Sequence, residues 1–382
     1  MTERSIMGGV SLLLGPLVLD PPVVLAPMAG VTDAPFRVLC AEQGGALFVS
    51  EMLTARGLAE GGAKSWAMST HHPAEQVRSV QLYGADPRAM GEAVRRLVDT
   101  QRIDHIDLNF GCPVPKVTRN GGGAALPVRR SLLAAIVASA VEAAGPVPVT
   151  MKMRMGLDAE RLTYQSAALM AADCGIAAVA LHARTARQGY AGHADWSAIA
   201  HLRAELPASV PVLGNGDIWA ASDAVEMMDS TGCDGVVIGR GCLGRPWLFA
   251  DLARIFAGDE PLGPPRLGAV AATIGRHLDL SLEWYDDETT AVRRLRKHLR
   301  WYLQGYPVGA DTRRAAGMVS TAADVITLIE RLDPTLEVLP HEVRAPRGRT
   351  DAMARLVLPE GWCEAPDAMT PVADPLLAHS GG

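Results

Sequence analysis

The chain has 382 residues, 48% of them hydrophobic and 20% charged, which is enough to bury a large core and excludes collagen-like, low-complexity and wholly disordered classes. Its net charge of −6 excludes a uniformly basic coat but not a local basic patch. Six cysteines without any C-x-x-C pair argue against a disulfide framework or a zinc site and for a reduced, cytoplasmic protein.

In chain order, the first apolar stretch, Met7 to Val31, is broken by Gly15, Pro16, Asp20, Pro21 and Pro22, far short of about 20 continuous helical residues, so no membrane association is expected. Eight short apolar runs then organise the text: Val23–Met28, Ala46–Met52, Val77–Gly84, His105–Gly111, Val147–Arg154, Ala177–Arg184, Val210–Gly216 and Gly235–Gly241. Helical patterns such as Pro87–Thr100, Ser131–Ala144, Thr163–Gly175 and Ser222–Thr231 separate them. A parallel strand with its crossover helix needs about 30 residues. The text therefore reads as a (β/α)₈ TIM barrel over residues 1–257. An open doubly wound sheet is the competing arrangement, but the first turn reads Ala-Pro-Met-Ala-Gly where a dinucleotide fold carries a glycine fingerprint. Residues 258–268 read as a linker, 269–340 as an all-helical domain, and 341–382 as a poorly patterned tail.

Alternation within the runs separates two faces. His105, Asp107 and Asn109 share one, as do Thr150, Lys152 and Arg154, and again His182 and Arg184. A lysine inside a barrel needs a partner, so the polar face holds either an anionic or polar ligand or internal salt bridges. Leu213-Gly214-Asn215-Gly216-Asp217 and Ile238-Gly239-Arg240-Gly241 end runs seven and eight, the usual phosphate site of this fold. These glycines serve tight turns or a phosphorylated cofactor, with Arg240 adding charge in the second case. Cys112 follows run four in Asn109-Phe110-Gly111-Cys112-Pro113, on a loop at the catalytic end. It is an inert small hydrophobe, a nucleophile or a proton donor. Finally, Arg293, Arg294, Arg296, Lys297 and Arg300 lie in Ala291–Tyr302 without an acid, as a solvated helix face or a phosphate-backbone contact.

Taken together, these motifs resemble the flavin-dependent tRNA-dihydrouridine synthases, especially their bacterial B-type branch. The matching text is Leu25–Asp33, Ser50-Glu51-Met52, Gln81-Leu82-Tyr83-Gly84, Asp107–Pro113 with Lys116-Val117, Met151–Arg154, Leu181–Thr185, Gly214–Ile218 and Gly239-Arg240-Gly241. The resemblance implies reduction of the C5–C6 double bond of tRNA uridines by FMN recharged with NADPH (or NADH). It places Pro27, Met28 and Ala29 along the flavin ring, Gln81 at its polar edge, and Lys152 and His182 beside it. Asn215, Gly216, Asp217, Gly239 and Arg240 would hold the ribityl phosphate. Hydride reaches C6 and Cys112 protonates C5 as general acid. Asn109 and Arg184 would orient the base or its phosphate, and the basic helix would grip a tRNA whose target uridine is turned out of its stack. A monomer without a metal is expected. The rival readings are an FMN oxidoreductase on a free pyrimidine, a lyase using Lys152 as a Schiff base, and a non-catalytic RNA-binding barrel.

Overall fold

The computed structural model describes residues 11–45 and 47–369. Ala46 at the start of the second run, the opening of the 1–257 segment and the end of the 341–382 tail lie outside these residues. The chain opens with a hairpin of β1 (Leu12–Leu14) and β2 (Leu17–Leu19). Eight strands follow: β3 (Val23–Leu25), β4 (Leu47–Thr54), β5 (Ser79–Tyr83), β6 (His105–Phe110), β7 (Val149–Arg154), β8 (Ala178–His182), β9 (Val212–Asn215) and β10 (Gly235–Ile238). They are parallel and close in sequence order, β10 pairing with β3. Each run read from the sequence coincides with one of these strands, β4 extending two residues past its run, so the TIM barrel stands.

Two apolar clusters divide the core. The outward faces of the strands, such as Ile106, Leu108, Met151 and Met153, pack beneath the surrounding helices. The lumen is closed at its N-terminal end by Leu12, Leu14 and Leu19 of the hairpin, which pack with Val24, Leu47, Val49, Ala180 and Leu213. Leu13 and Val18 point outward and are exposed. The apolar N-terminal stretch is thus a plug in the barrel floor, and no helix among the described residues is long and apolar enough to cross a membrane. Above this apolar floor the polar lumen residues rise from Ser79 and His105, at the starts of β5 and β6, toward the other end, where catalytic groups of this fold collect.

The helices start where local chemistry allows. In Pro87–Gln101, Asp86 accepts from the N–H groups of Arg88 and Ala89, with proline at the first position. The C-terminal domain consists of helices Leu267–Trp284, Glu288–Tyr302, Gly309–Met318 and Ala322–Glu330. Its first helix begins two residues inside the segment read as linker, because Leu267 is fully buried. This domain docks on helix Ala34–Ala41, where Phe36 meets the rings of His277 and His298. The Tyr285 hydroxyl donates to Asp33 at 2.8 Å, and Arg276 pairs with Glu42 at 2.6 Å. Beyond Glu342 the described tail has neither helix nor strand, yet Arg347 and Trp362 are buried.

Candidate active site

A hydrogen-bonded ladder climbs the lumen toward the C-terminal end of the barrel. Register places Ser79 beside His105, Gln81 beside Asp107, Asp107 beside Thr150 and Asn109 beside Lys152. The Thr150 hydroxyl donates to Asp107 at 2.6 Å, so His105 Nε2–H donates to Thr150 (2.9 Å) and Nδ1 accepts from Ser79 (2.7 Å). Burial keeps this imidazole neutral, pushing its pKa down to about 3. Gln81 Nε2 donates to the other Asp107 oxygen at 2.7 Å, and Gln81 Oε1 accepts from Asn109 Nδ2 at 2.9 Å. Asn109 Oδ1 then accepts from the N–H groups of Gly111 (3.1 Å) and Cys112 (2.9 Å). Asn109 therefore shapes the turn that presents the cysteine. Of the Gln81 amide, one N–H is left for a further acceptor.

Opposite the ladder the site is cationic. Lys152 Nζ donates to Asn215 Oδ1 at 2.8 Å, and Asn215 Nδ2 to Val237 O at 2.7 Å. Burial, then the nearby Arg154 charge, brings the ammonium down to about 7, with Asp107 opposing the shift. His182 is held neutral by burial and by the charges of Arg154, Lys152, Arg184 and Arg240. Arg184 is buried and reaches both Asp217 oxygens at 2.8 Å. The Asp217 carboxylate also accepts from Ala194 N–H and lies 3.6 Å from Arg240. The Arg240 guanidinium stacks on Tyr190 and Trp219, 4.4 and 5.0 Å from the ring centres. Internal ion pairing and an open cationic face therefore coexist. Arg184 Nη1 is buried without a protein partner, 3.8 Å from where a Cβ on Gly216 would stand. A buried guanidinium N–H left unpaired is costly.

Most of these groups open onto one cleft, although Arg154 and Arg184 lie behind its lining. Pro27, Met28, Lys152, His182, Asn215, Gly216, Asp217, Gly239 and Arg240 all line it. Ala29 is exposed just beyond Met28, and Gln81 is buried in the ladder. Tyr190 and Trp219 also line the cleft, and sequence reasoning missed both. They lie in irregular loops without a motif, and only the fold brings them to Arg240. Cys112 sits half-buried on the neighbouring loop. Burial raises its thiol pKa, partly offset by the Val114 backbone N–H and the Arg154 charge. Arg154 Nε donates to Gly111 O at 3.0 Å, linking the cationic wall to this loop.

The basic helix Glu288–Tyr302 splits its cations by face. Arg293 and Arg300 are exposed, Arg296 is half-buried and Arg294 lies 5.9 Å from the Tyr285 ring centre. Lys297 reaches the barrel mouth, its Nζ 3.3 Å from where a Cβ on Gly30 would lie. Tyr302 is core, bonded to His277 at 3.0 Å, and Trp301 packs on His298. Lys297 and Arg300 line a groove with Arg313, Arg314 and Arg349, and no acidic residue lines it. The last three were not anticipated, because they come from another helix and from the tail.

Comparison with known proteins matches the dihydrouridine synthase (Dus) family model over residues 24–337. A probable tRNA-dihydrouridine synthase of Mycobacterium tuberculosis strain H37Rv is 49% identical, covering 96% of this chain and 95% of its own length. The tRNA-dihydrouridine synthase B of Xanthomonas axonopodis pv. citri is 41% identical, covering 81% of this chain and 91% of its own. Among solved structures, histamine dehydrogenase from Rhizobium sp. 4-9 aligns with a TM-score of 0.50 at 14% identity over 71% of this chain; the alignment covers 50% of that longer chain, a likeness of fold.

Proposed function

The chain belongs to the dihydrouridine synthase family, and from that premise we propose that it reduces the C5–C6 double bond of selected tRNA uridines to 5,6-dihydrouridine, using FMN recharged by NADPH, with Cys112 as general acid. The observation that carries this reading is the pairing of one cationic cleft with a thiol that burial keeps protonated on the adjoining loop. The residues fit a phosphorylated flavin. Arg240 and the glycine turns at 216 and 239, which line the cleft together, suit a phosphate dianion. The Asp217 carboxylate is engaged by Arg184 and Ala194, so only its backbone N–H is suited to face an anion. Pro27, Met28 and Ala29 offer a flat apolar edge, and Lys152 and His182 a polar one. Reduced FMN bound there supplies a hydride equivalent to uracil C6.

The remaining chemistry belongs to the side chains. A thiol whose pKa stands above ambient pH is in the acid form and can give its proton to C5. Arg154 then stabilises the thiolate left behind, being the charge that already lowers its pKa. Lys297 at the barrel mouth, with the groove of Arg300, Arg313, Arg314 and Arg349, would take the phosphate backbone while the uridine is turned inward. A free pyrimidine would have no use for that groove, which favours the polynucleotide over the small-molecule reading.

The test begins with colour: the purified protein should absorb near 450 nm, roughly the oxidised flavin band. Cys112→Ala should keep the absorbance and its bleaching by NADPH while dihydrouridine formation falls by about 10²-fold or more. A colourless protein after reconstitution, or an alanine variant of undiminished rate, would overturn the reading. Dihydrouridine mapping in tRNA from a deletion strain and its complement gives the substrate position.

A further inference from the structure

The tail beyond Glu342 lies past residue 337, where the family match ends, yet it runs back across the barrel mouth. One anchor is Arg347, buried, donating to Trp301 O at 2.5 Å, Leu243 O at 3.1 Å and Gln304 O at 3.2 Å. Next, Arg349 O accepts from the Arg240 guanidinium, and Asp351 O from Tyr190 N–H at 3.0 Å, so the strap touches the cationic cleft. Further along, Trp362 is 2% exposed although no helix or strand holds it, and Pro366 O accepts from Arg130 N–H at 2.8 Å.

Trp362 is seated against the far limb of the Cys112 loop. Its indole N–H donates to Ala125 O at 2.7 Å, and its ring lies flat against Gly121, where a Cβ would come within 2.8 Å of Cζ2. The Arg129 guanidinium stacks on the ring at 4.6 Å and donates to Trp362 O at 2.8 Å. Between the indole and the cysteine there is one layer of backbone. Ala124 N–H donates to Cys112 O at 3.0 Å, and a Cβ on Gly123, whose φ is +55°, would lie 3.2 Å from Cys112 Cβ. Asn109 fixes the near limb of this loop and Trp362 the far limb, so the thiol is held from both sides.

We propose that Trp362 is a positioning residue of the active site, acting through the Gly121–Ala125 segment to hold the Cys112 thiol in its half-buried, proton-donating position. The proposal rests on the reading of Cys112 as general acid. Its mechanical half, that the indole sets the burial of the thiol, can be measured without turnover.

The experiment uses the full-length flavin-loaded protein and the variants Trp362→Ala and Trp362→Phe, the second keeping a ring and losing the N–H. Three quantities are followed: kcat and KM on a tRNA transcript lacking dihydrouridine, flavin content, and the pH profile of Cys112 alkylation by iodoacetamide, located by peptide mass. Trp362→Ala should lower kcat by about 30- to 100-fold, since a displacement of about 1 Å at a reacting group costs that order. KM for the transcript and flavin content should stay within about twofold, and Cys112 should alkylate faster with a lower pH midpoint as burial is relaxed. Trp362→Phe should recover most of kcat and of the alkylation midpoint. It also decides the question should the alanine variant not fold, by showing a smaller loss in the same two quantities. An unchanged alkylation profile in the folded variants overturns the mechanical half, and an undiminished kcat overturns the catalytic half. A fully active Cys112→Ala would instead fail the underlying acid assignment, an outcome distinct from these because alkylation requires no turnover.

Discussion

Replacing Asn109 by alanine separates two roles that its position in the barrel allows. The side chain accepts from the Gly111 and Cys112 N–H groups and donates to Gln81 Oε1 at 2.9 to 3.1 Å, and its Nδ2 also donates weakly to the Met52 sulfur at 3.2 Å. Truncation strands two donors and one acceptor, each worth about 1–3 kcal/mol when buried. Gly111 and Cys112 are half-buried, so water replaces part of the loss, and a net destabilisation of about 2–4 kcal/mol is expected. The larger effect is on geometry, because the turn carrying the thiol loses its only side-chain acceptor from within the lumen ladder. A fall in kcat of about 10²-fold, with KM for tRNA held, follows if the thiol drifts by about 1 Å. Asn109→Asp retains the acceptor oxygens of the turn and loses the donor to Gln81, so it should keep more of kcat than the alanine. Steady-state dihydrouridine formation on a tRNA transcript, with urea unfolding in parallel, reads both quantities. A variant that raises KM several-fold while kcat holds would refute this reasoning and return Asn109 to the substrate-orienting role that the sequence alone offered.

Stability should fall on acidification through the buried histidines: His105 and His277 are depressed to about 3 and about 4 in the fold against about 6.5 unfolded, so their stabilisation is complete above about pH 6.5 and shrinks as pH drops through that window. Each contributes a loss of about 2 kcal/mol by pH 5, and urea midpoints that coincide at pH 7 and pH 5 would contradict it. Removing the exposed Arg293 and Arg300 together should leave kcat intact and flatten the salt dependence of log KM for tRNA by about 0.7–0.9 per lost phosphate contact; a slope equal to that of the parent protein would remove both residues from the interface.

Much of the site was legible because a barrel converts strand alternation directly into position. His105, Asp107 and Asn109 share a face by the period of two, and closure of the sheet turns that face inward. Glycines at the ends of β9 and β10 likewise gave the cleft its place. Partnerships between strands were not legible. Nothing in the order of residues says that Gln81 spends its carbonyl on Asn109, or that Arg184 commits one nitrogen to Asp217 and leaves another unpaired. The hairpin plug was hidden for a related reason: its strands are three residues each, too short to show a period, and its purpose exists only once a lumen needs closing.

The sequence by itself determined the architecture, the cleft and the cysteine, since each depends on short-range pattern: the spacing of apolar runs, glycine at strand ends, a thiol between Gly111 and Pro113. Tertiary structure alone decided what surrounds them. The tail has no period and is interrupted by prolines, so locally it resembles a loose end. Trp362 becomes buried only because a glycine with φ of +74° at residue 121 leaves room for an indole 241 positions along the chain. Contacts of that range depend on where the barrel closes, and no local propensity encodes them.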